Sequence, residues 1–471
     1  MTRRWPLAAV AAAGLMATAV CLTLLRIPVQ VTDSLVVMLQ VLPEPSAAAA
    51  FSTFLGEDGF LRPLYNAQVK LLLDVSGGNY YVAYKTFHVL LVAALFALFV
   101  RAARVENRTD LAAFVLSLTV LTGIHTFTGT VWEAYPINHY LQVAVFCLGA
   151  FVLADSRGGL WADLLAPVLF AAAALTLESG LLVWVVFVSA RLVGLRGVSS
   201  RGVALVSLCL IAYLYFRFVM LNTGSPTVTE RSTGFGFDRL DPDEVVARFG
   251  MTPYALYAYN VAVSCFSVLL SEPRGGTWEL AARLARGQVT PAMMVTVASV
   301  VTGTGLLAWV TVTRARLWLA RRFERVDQVL LVFLAVLGGN AAICYVYTKD
   351  EVMSTAGVFY ALAVFAGARE LLRRVAPGPR PAWAAMALAA ILFAGAGAWA
   401  IRSLGLHYHM IQMAFSIRLD WVGVDEWLAD QKVTVETPEQ RQLVATLRDQ
   451  ALQMPVENQY FLPRWGQAWF R

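Results

Sequence analysis

The 471-residue chain is 58% hydrophobic and 14% charged, with a mean hydropathy of +0.62. Soluble domains average about 25% charged and about 45–50% apolar residues, so this composition excludes a soluble enzyme, a disordered chain and a nucleic-acid binder built on a charged surface. The net charge of +6 comes mostly from arginine, since the chain has only four lysines, and in a chain this apolar such an excess reports topology.

A membrane span needs about 20 apolar residues. The first such window, residues 5–25, follows Arg3 and Arg4 and lacks a small-residue cleavage site, so it reads as an uncleaved first span with a cytoplasmic N-terminus. Further windows fall near 80–100, 110–127, 139–154, 160–177, 180–195, 202–221, 290–313, 328–347, 352–370 and 383–402, eleven in all. Residues 255–270 are also apolar, and the reading preferred for them is an interfacial or re-entrant helix. The expected fold is therefore an all-α polytopic membrane protein of about eleven transmembrane helices, with interfacial helices on its outer face. Residues 1–402 would form the membrane domain and residues 403–471 a small helical cap on the outer face. Five cysteines (Cys21, Cys147, Cys209, Cys265, Cys344) stand singly without a CxxC, giving neither a disulfide framework nor a zinc site.

Arginines cluster at Arg101/Arg104/Arg108, Arg191/Arg196/Arg201, Arg314/Arg316/Arg321/Arg322/Arg325 and Arg369/Arg373/Arg374/Arg380. Threading eleven spans from a cytoplasmic N-terminus puts all four clusters on the cytoplasmic side, as the positive-inside rule requires. A full span at 255–270 would expel the five-arginine cluster. The opposite face then owns the long loops and the conspicuous polar residues: Asp33, Glu57, Asp58, Arg62, His125, Glu133, Glu178 and Lys349-Asp350-Glu351. Transporters concentrate polar groups at mid-membrane instead. Polar groups at one interface above long apolar spans suit a lipid-linked anionic substrate: a carboxylate deprotonates an acceptor hydroxyl while cations hold a departing phosphate. The fork of Arg62 matches a phosphate, though it equally suits snorkelling to headgroups. Asp33 also suits a helix N-cap. Glu133 and Glu178 would bind acceptor, tune Asp33 or serve in structural pairs. The aromatic residues Trp132, Tyr135 and Tyr140 fit an interfacial belt.

Several stretches resemble the GT-C glycosyltransferases, in the branch that includes the tetratricopeptide-repeat-carrying O-mannosyltransferases and their bacterial relatives. Phe60-Leu61-Arg62-Pro63-Leu64, continuing through Gly78-Asn79-Tyr80-Tyr81-Val82-Ala83-Tyr84-Lys85-Thr86-Phe87-His88, is similar to that branch's motif before and into its second span; Lys85 replaces a His and His88 stands where an Asn is expected. His125-Thr126-Phe127-Thr128-Gly129-Thr130-Val131-Trp132-Glu133 looks like its His-Pro loop without the Pro. Leu175-Thr176-Leu177-Glu178-Ser179-Gly180 looks like its Ser-Lys-Glu-x-Gly turn, with Leu177 in place of Lys. Phe415-Ser416-Ile417-Arg418-Leu419-Asp420-Trp421 is similar to its Arg-Asn-x-x-Trp exit. The tetratricopeptide array is missing.

The resemblance implies a GT-C-like fold in a bacterial inner membrane, with the C-terminus outside. It implies inverting transfer of a sugar from a polyprenyl-phosphate donor to an acceptor hydroxyl on a glycan, lipid or protein. Asp33 corresponds to the family's proposed catalytic base. Arg62, with Lys349 or His125, would stabilise the departing phosphate, and Glu133 and Glu178 would complete the substrate-binding set. Divalent metal is used by some members and not by others. The rival readings are a lipid-linked glycan polymerase or ligase drawing on Arg231, Arg239 and Arg248, a transporter or flippase of glycan precursors, and a non-catalytic assembly scaffold.

Overall fold

A computed structural model describes residues 4–55, 60–131, 137–223, 227, 232–346, 348–375 and 382–454. Helix α1 (Arg4–Leu24) leads into α2 (Asp33–Val41), α3 (Ala47–Thr53), α4 (Pro63–Val75) and α5 (Tyr80–Ala103). Then come α6 (Arg108–Gly123), α7 (Thr126–Val131), α8 (His139–Ala154), α9 (Leu160–Ala174), a 3-10 turn at Glu178–Leu181, α10 (Leu182–Leu192) and α11 (Ser200–Tyr215). A π-helical turn at Phe216–Met220 ends α11. An antiparallel hairpin pairs β1 (Thr233–Phe235) with β2 (Asp238–Leu240), and these are the only strands among the described residues. Helices α12 (Pro242–Phe249), α13 (Tyr254–Leu269), α14 (Arg274–Ala285), α15 (Pro291–Leu319), α16 (Arg325–Ile343), α17 (Ser354–Val375), α18 (Ala382–Val422), α19 (Val424–Asp430) and α20 (Pro438–Gln453) complete the chain.

Every apolar window of the sequence is helical, and the protein is a multi-pass all-α membrane protein. Among the described residues seven helices are long and apolar enough to cross a membrane: α1, α5, α11 with its π turn, α15, α16, α17 with the 3-10 turn before it, and α18. The other four windows form α6, α8, α9 and α10, of 16, 16, 15 and 11 residues, shorter than a straight span requires. Short helices are tolerated where neighbouring helices cover their ends. Helix α17 packs against α6, α8 and α16, and its buried run from Ser354 to Ala368 makes it the bundle's central helix. Close crossings use small residues: a Cβ on Gly123 would lie 2.8 Å from the Trp399 carbonyl oxygen, and one on Gly395 2.0 Å from Thr302 Oγ1. At residues 255–270, α13 joins α12 through a 117° bend, the geometry of a broken span or a re-entrant segment.

The arginine clusters gather at one end of the bundle. Arg104 and Arg325 share Asp155 at 2.9 and 2.7 Å, and Arg369 and Arg373 share Asp110 at 2.9 and 3.4 Å. Arg314 grips the fully buried Asp327 and reaches Glu324 and Glu370. Gln328 donates to the Val193 carbonyl, tying the 191–201 segment to the same end. Such charges persist at depth because each is paired.

A second apolar cluster forms at the opposite end, where α2, α4 and the start of α5 meet the end of α18, α19 and α20. Helix α18 continues unbroken through residue 402, so the C-terminal helices are carried on an extension of a membrane helix. Trp421, fully buried, donates from Nε1 to the Val29 carbonyl at 2.6 Å. Gln450 brackets the turn before α5, accepting from Tyr81 N and donating to the Gly78 carbonyl. The C-terminal cap thereby clasps the loop that presents Asp33.

Candidate functional site

The end of the bundle away from the arginine clusters holds a three-residue ionic centre. Pro63, its ring preset for a first helical position, starts α4 and leaves Arg62 as the residue before the helix. Leu64 N donates to the Leu175 carbonyl at 3.1 Å, fixing this start against the end of α9. There the chain turns back sharply at Glu178–Leu181. Gly180 makes the turn feasible, since a Cβ would sit 2.2 Å from the Ala173 backbone. Arg62 then meets Glu178 as a fork, Nε to Oε1 at 3.0 Å and Nη2 to Oε2 at 2.6 Å. Arg217 approaches the same carboxylate, Nη1 to Oε1 at 3.8 Å, and Nη1 also donates to the Tyr213 hydroxyl at 3.2 Å. The π turn places Arg217 there, and Thr223 closes the turn by donating to its carbonyl. The Arg217 Nε is buried without a hydrogen-bond partner among the described residues.

Burial opposes ionisation of Glu178, but the charge and hydrogen bonds of Arg62, with Arg217 behind them, outweigh it and hold the carboxyl below its ordinary range. Burial likewise opposes the Arg62 charge and Glu178 overcomes it, leaving the guanidinium firmly protonated. Two cations thus share one anion, a local surplus of one positive charge. The three side chains line a cavity of about 350 Å³ whose other walls are mainly apolar, including Phe60, Leu177, Phe218, Ile343 and Val352. Phe60 stacks on Arg62 at 4.4 Å and Phe218 on Arg217 at 5.2 Å.

Asp33, the first residue of α2, is exposed at the same end of the bundle. Its charge acts on Tyr65 of α4, which Arg62 also influences; burial pushes the Tyr65 phenol up, with Arg62 opposing and Asp33 adding to the rise. Tyr65 packs edge-on against His139 at 5.3 Å. His139 and Tyr140 open α8, which Asn138 caps from a left-handed conformation while donating to the Thr130 carbonyl at 2.8 Å. Arg62 and Lys349 both lie within electrostatic reach of His139. Lys349 makes no ion pair among the described residues. His125, buried just beyond α6, points Nε2 at Asp350 Oδ1 at 3.5 Å. Gly129 permits that approach, because a Cβ would lie 2.7 Å from Glu351 Cα.

Five residues singled out from the sequence therefore lie around one end of the bundle: Asp33, Arg62, His125, Glu178 and Lys349. Glu133, Glu57, Asp58, Trp132, Tyr135 and Arg231 lie outside the described residues. Arg239 and Arg248 belong to the hairpin module, where Arg239 donates to Ser232 and Arg248 lies over Phe235. Sequence reasoning missed Arg217, Tyr65 and His139. Arg217 had a signal: an arginine at the far end of an apolar window, with Tyr213 one helical turn before it. Among the described residues no three His, Cys, Asp or Glu side chains converge on a point that could hold a metal ion. Comparison with protein-family models, curated proteins and solved structures gave no match.

Proposed function

We propose that this protein is an inverting glycosyltransferase that moves a sugar from a polyprenyl-phosphate donor to an acceptor hydroxyl at the outer face of a bacterial inner membrane. In this reading all eleven apolar helices cross the bilayer in a GT-C-like arrangement, with the arginine clusters in the cytoplasm. The observation that carries it is the surplus cation: Arg62 and Arg217 share the single carboxylate of Glu178 against an apolar cavity. A lipid phosphate supplies the missing anion, and its chain suits the apolar walls.

The donor's phosphate would sit on Arg62 and Arg217, with Lys349 above it, while Glu178 holds both guanidinium groups in place. Asp33 takes the proton of the acceptor hydroxyl as its oxygen bonds to the anomeric carbon from the face opposite the phosphate. The bond from that carbon to the phosphate oxygen breaks, and its electron pair leaves on the phosphate, where fixed cations stabilise it. Backside attack inverts the anomeric centre. The glycan polymerase or ligase reading draws on Arg239 and Arg248, which are occupied within the hairpin module.

The test is transfer of labelled sugar from a panel of polyprenyl-phosphate donors in membranes containing wild type, Asp33→Asn or Arg217→Gln, at matched protein levels. The expected result is transfer by wild type, loss of turnover in Asp33→Asn, and weakened donor use in Arg217→Gln. Undiminished transfer by Asp33→Asn would remove Asp33 as the base. Labelled donor crossing the bilayer with its sugar–phosphate bond intact would replace the reading with a flippase.

A further inference from the structure

A second cavity, of about 510 Å³, lies between α1, α6 and α18, built from elements other than those that hold the ionic centre. Its walls are mainly apolar, with Met16 and Leu22 from α1 and Ala400, Leu404 and Ile411 from α18. The hydroxyls that reach it are already satisfied: Thr23 donates to the Ala19 carbonyl and Ser403 pairs with Thr122 at 2.7 Å. Leu22 and Leu404 are largely exposed, so the groove opens sideways from two membrane helices, where acyl chains are the surrounding medium.

The groove has a polar head. Arg26 lies two residues beyond the end of α1, at the level where a span meets the headgroups, and it is exposed. Its side chain makes no ion pair or hydrogen bond among the described residues, unlike Arg62, Arg217, Arg314 or Arg402. His407 lines the groove lower down, one helical turn short of Ile411 on α18. From Met16 to Arg26 is about 15 Å of helical rise, room for much of one acyl chain beneath a headgroup.

We propose that this groove is a binding site for an anionic phospholipid. One acyl chain lies between α1 and α18, and the phosphate pairs with Arg26. The charge favours a phosphate left uncompensated by an ammonium, because Arg26 supplies a cation and no acidic side chain lines the groove. The phospholipid site is separate from the cavity assigned to the sugar donor.

Native mass spectrometry of the full-length protein in detergent, titrated with phosphatidylglycerol or phosphatidylcholine of matched chains, tests this. Wild type is expected to bind its first phosphatidylglycerol about fivefold more tightly, the factor that one juxtamembrane arginine contributes. Arg26→Gln, at an exposed side chain with no partner to lose, should make the two lipids equal. Ala400→Trp should fill the groove and reduce binding of both, while Arg217→Gln should keep the preference. Retention of the preference by Arg26→Gln would overturn the proposal. So would wild-type binding by Ala400→Trp, or loss of the preference in Arg217→Gln.

Discussion

Replacing Glu178 by glutamine would leave two guanidinium groups facing one another across a cavity with no anion between them. Breaking a fully buried ion pair costs about 3–5 kcal/mol. Here the Glu178 side chain is 16% exposed and that of Arg62 31%, so solvent screens part of the loss and the expected destabilisation is about 2 kcal/mol. Arg62→Gln removes the closer partner but leaves Arg217, so it should cost less than Glu178→Gln. Unfolding in mixed micelles of mild detergent and dodecyl sulfate, run on wild type, both single variants and the double, gives the coupling, expected at about 2 kcal/mol. The pH dependence supplies the sign. Because folding depresses the Glu178 carboxyl, its contribution is fully present above the unfolded value of about 4.3 and is lost as pH falls through the lower folded value. Wild type should therefore lose stability to acid more steeply than Glu178→Gln. Strictly additive single variants, or identical acid profiles, would refute the shared-carboxylate account.

Gly180→Ala should destabilise by about 2 kcal/mol and weaken donor binding together, since the new Cβ would meet Ala173 and displace the turn that carries Glu178. Thermal melting and donor titration would show both effects. Trp421→Phe keeps one aromatic ring but removes the indole N–H and strands the Val29 carbonyl, costing about 1 kcal/mol from the hydrogen bond before lost packing is added, and hydrogen exchange should rise locally across residues 27–33. Asp327→Asn, at the opposite end, should cost about 3 kcal/mol because Arg314 and Asp327 are both buried, yet leave turnover per folded molecule unchanged.

The helices were legible because apolar runs of near-membrane length report burial directly, and the arginines between them marked one end of the bundle. Pairings were not legible. Arg62 and Glu178 stand 116 positions apart, and nothing local in either stretch announces the other. Arg217 was hidden because an arginine at the end of an apolar run reads as snorkelling unless the turn that buries it is known. The hairpin at 233–240 falls in a long loop between apolar windows, where Phe235-Gly236-Phe237-Asp238 carries a turn signal and Gly236 takes a positive φ. The boundary at residue 402 is the end of the last apolar window. In the structure Arg402 stays helical and is satisfied by Glu272, Ser271 and the Gly123 carbonyl. His407 and His409, spaced like a metal pair on a strand, instead sit on that helix and point in different directions around it.

Helix α18 has 41 residues, a rod of about 60 Å by helical rise, against a hydrocarbon layer of about 30 Å. It stands through the bilayer like a mast, and Trp421 near its top is hooked to the strand of chain that leads to Asp33. A rod of that length magnifies small rotations: tilting by about 5° around the membrane midplane carries its tip roughly 4 Å sideways. Bilayers of different thickness change helix tilt at modest energetic cost. A change of membrane thickness that tilts α18 is therefore expected to pull on Val29 and shift the segment leading to Asp33, with the lipid as the hand on the lever.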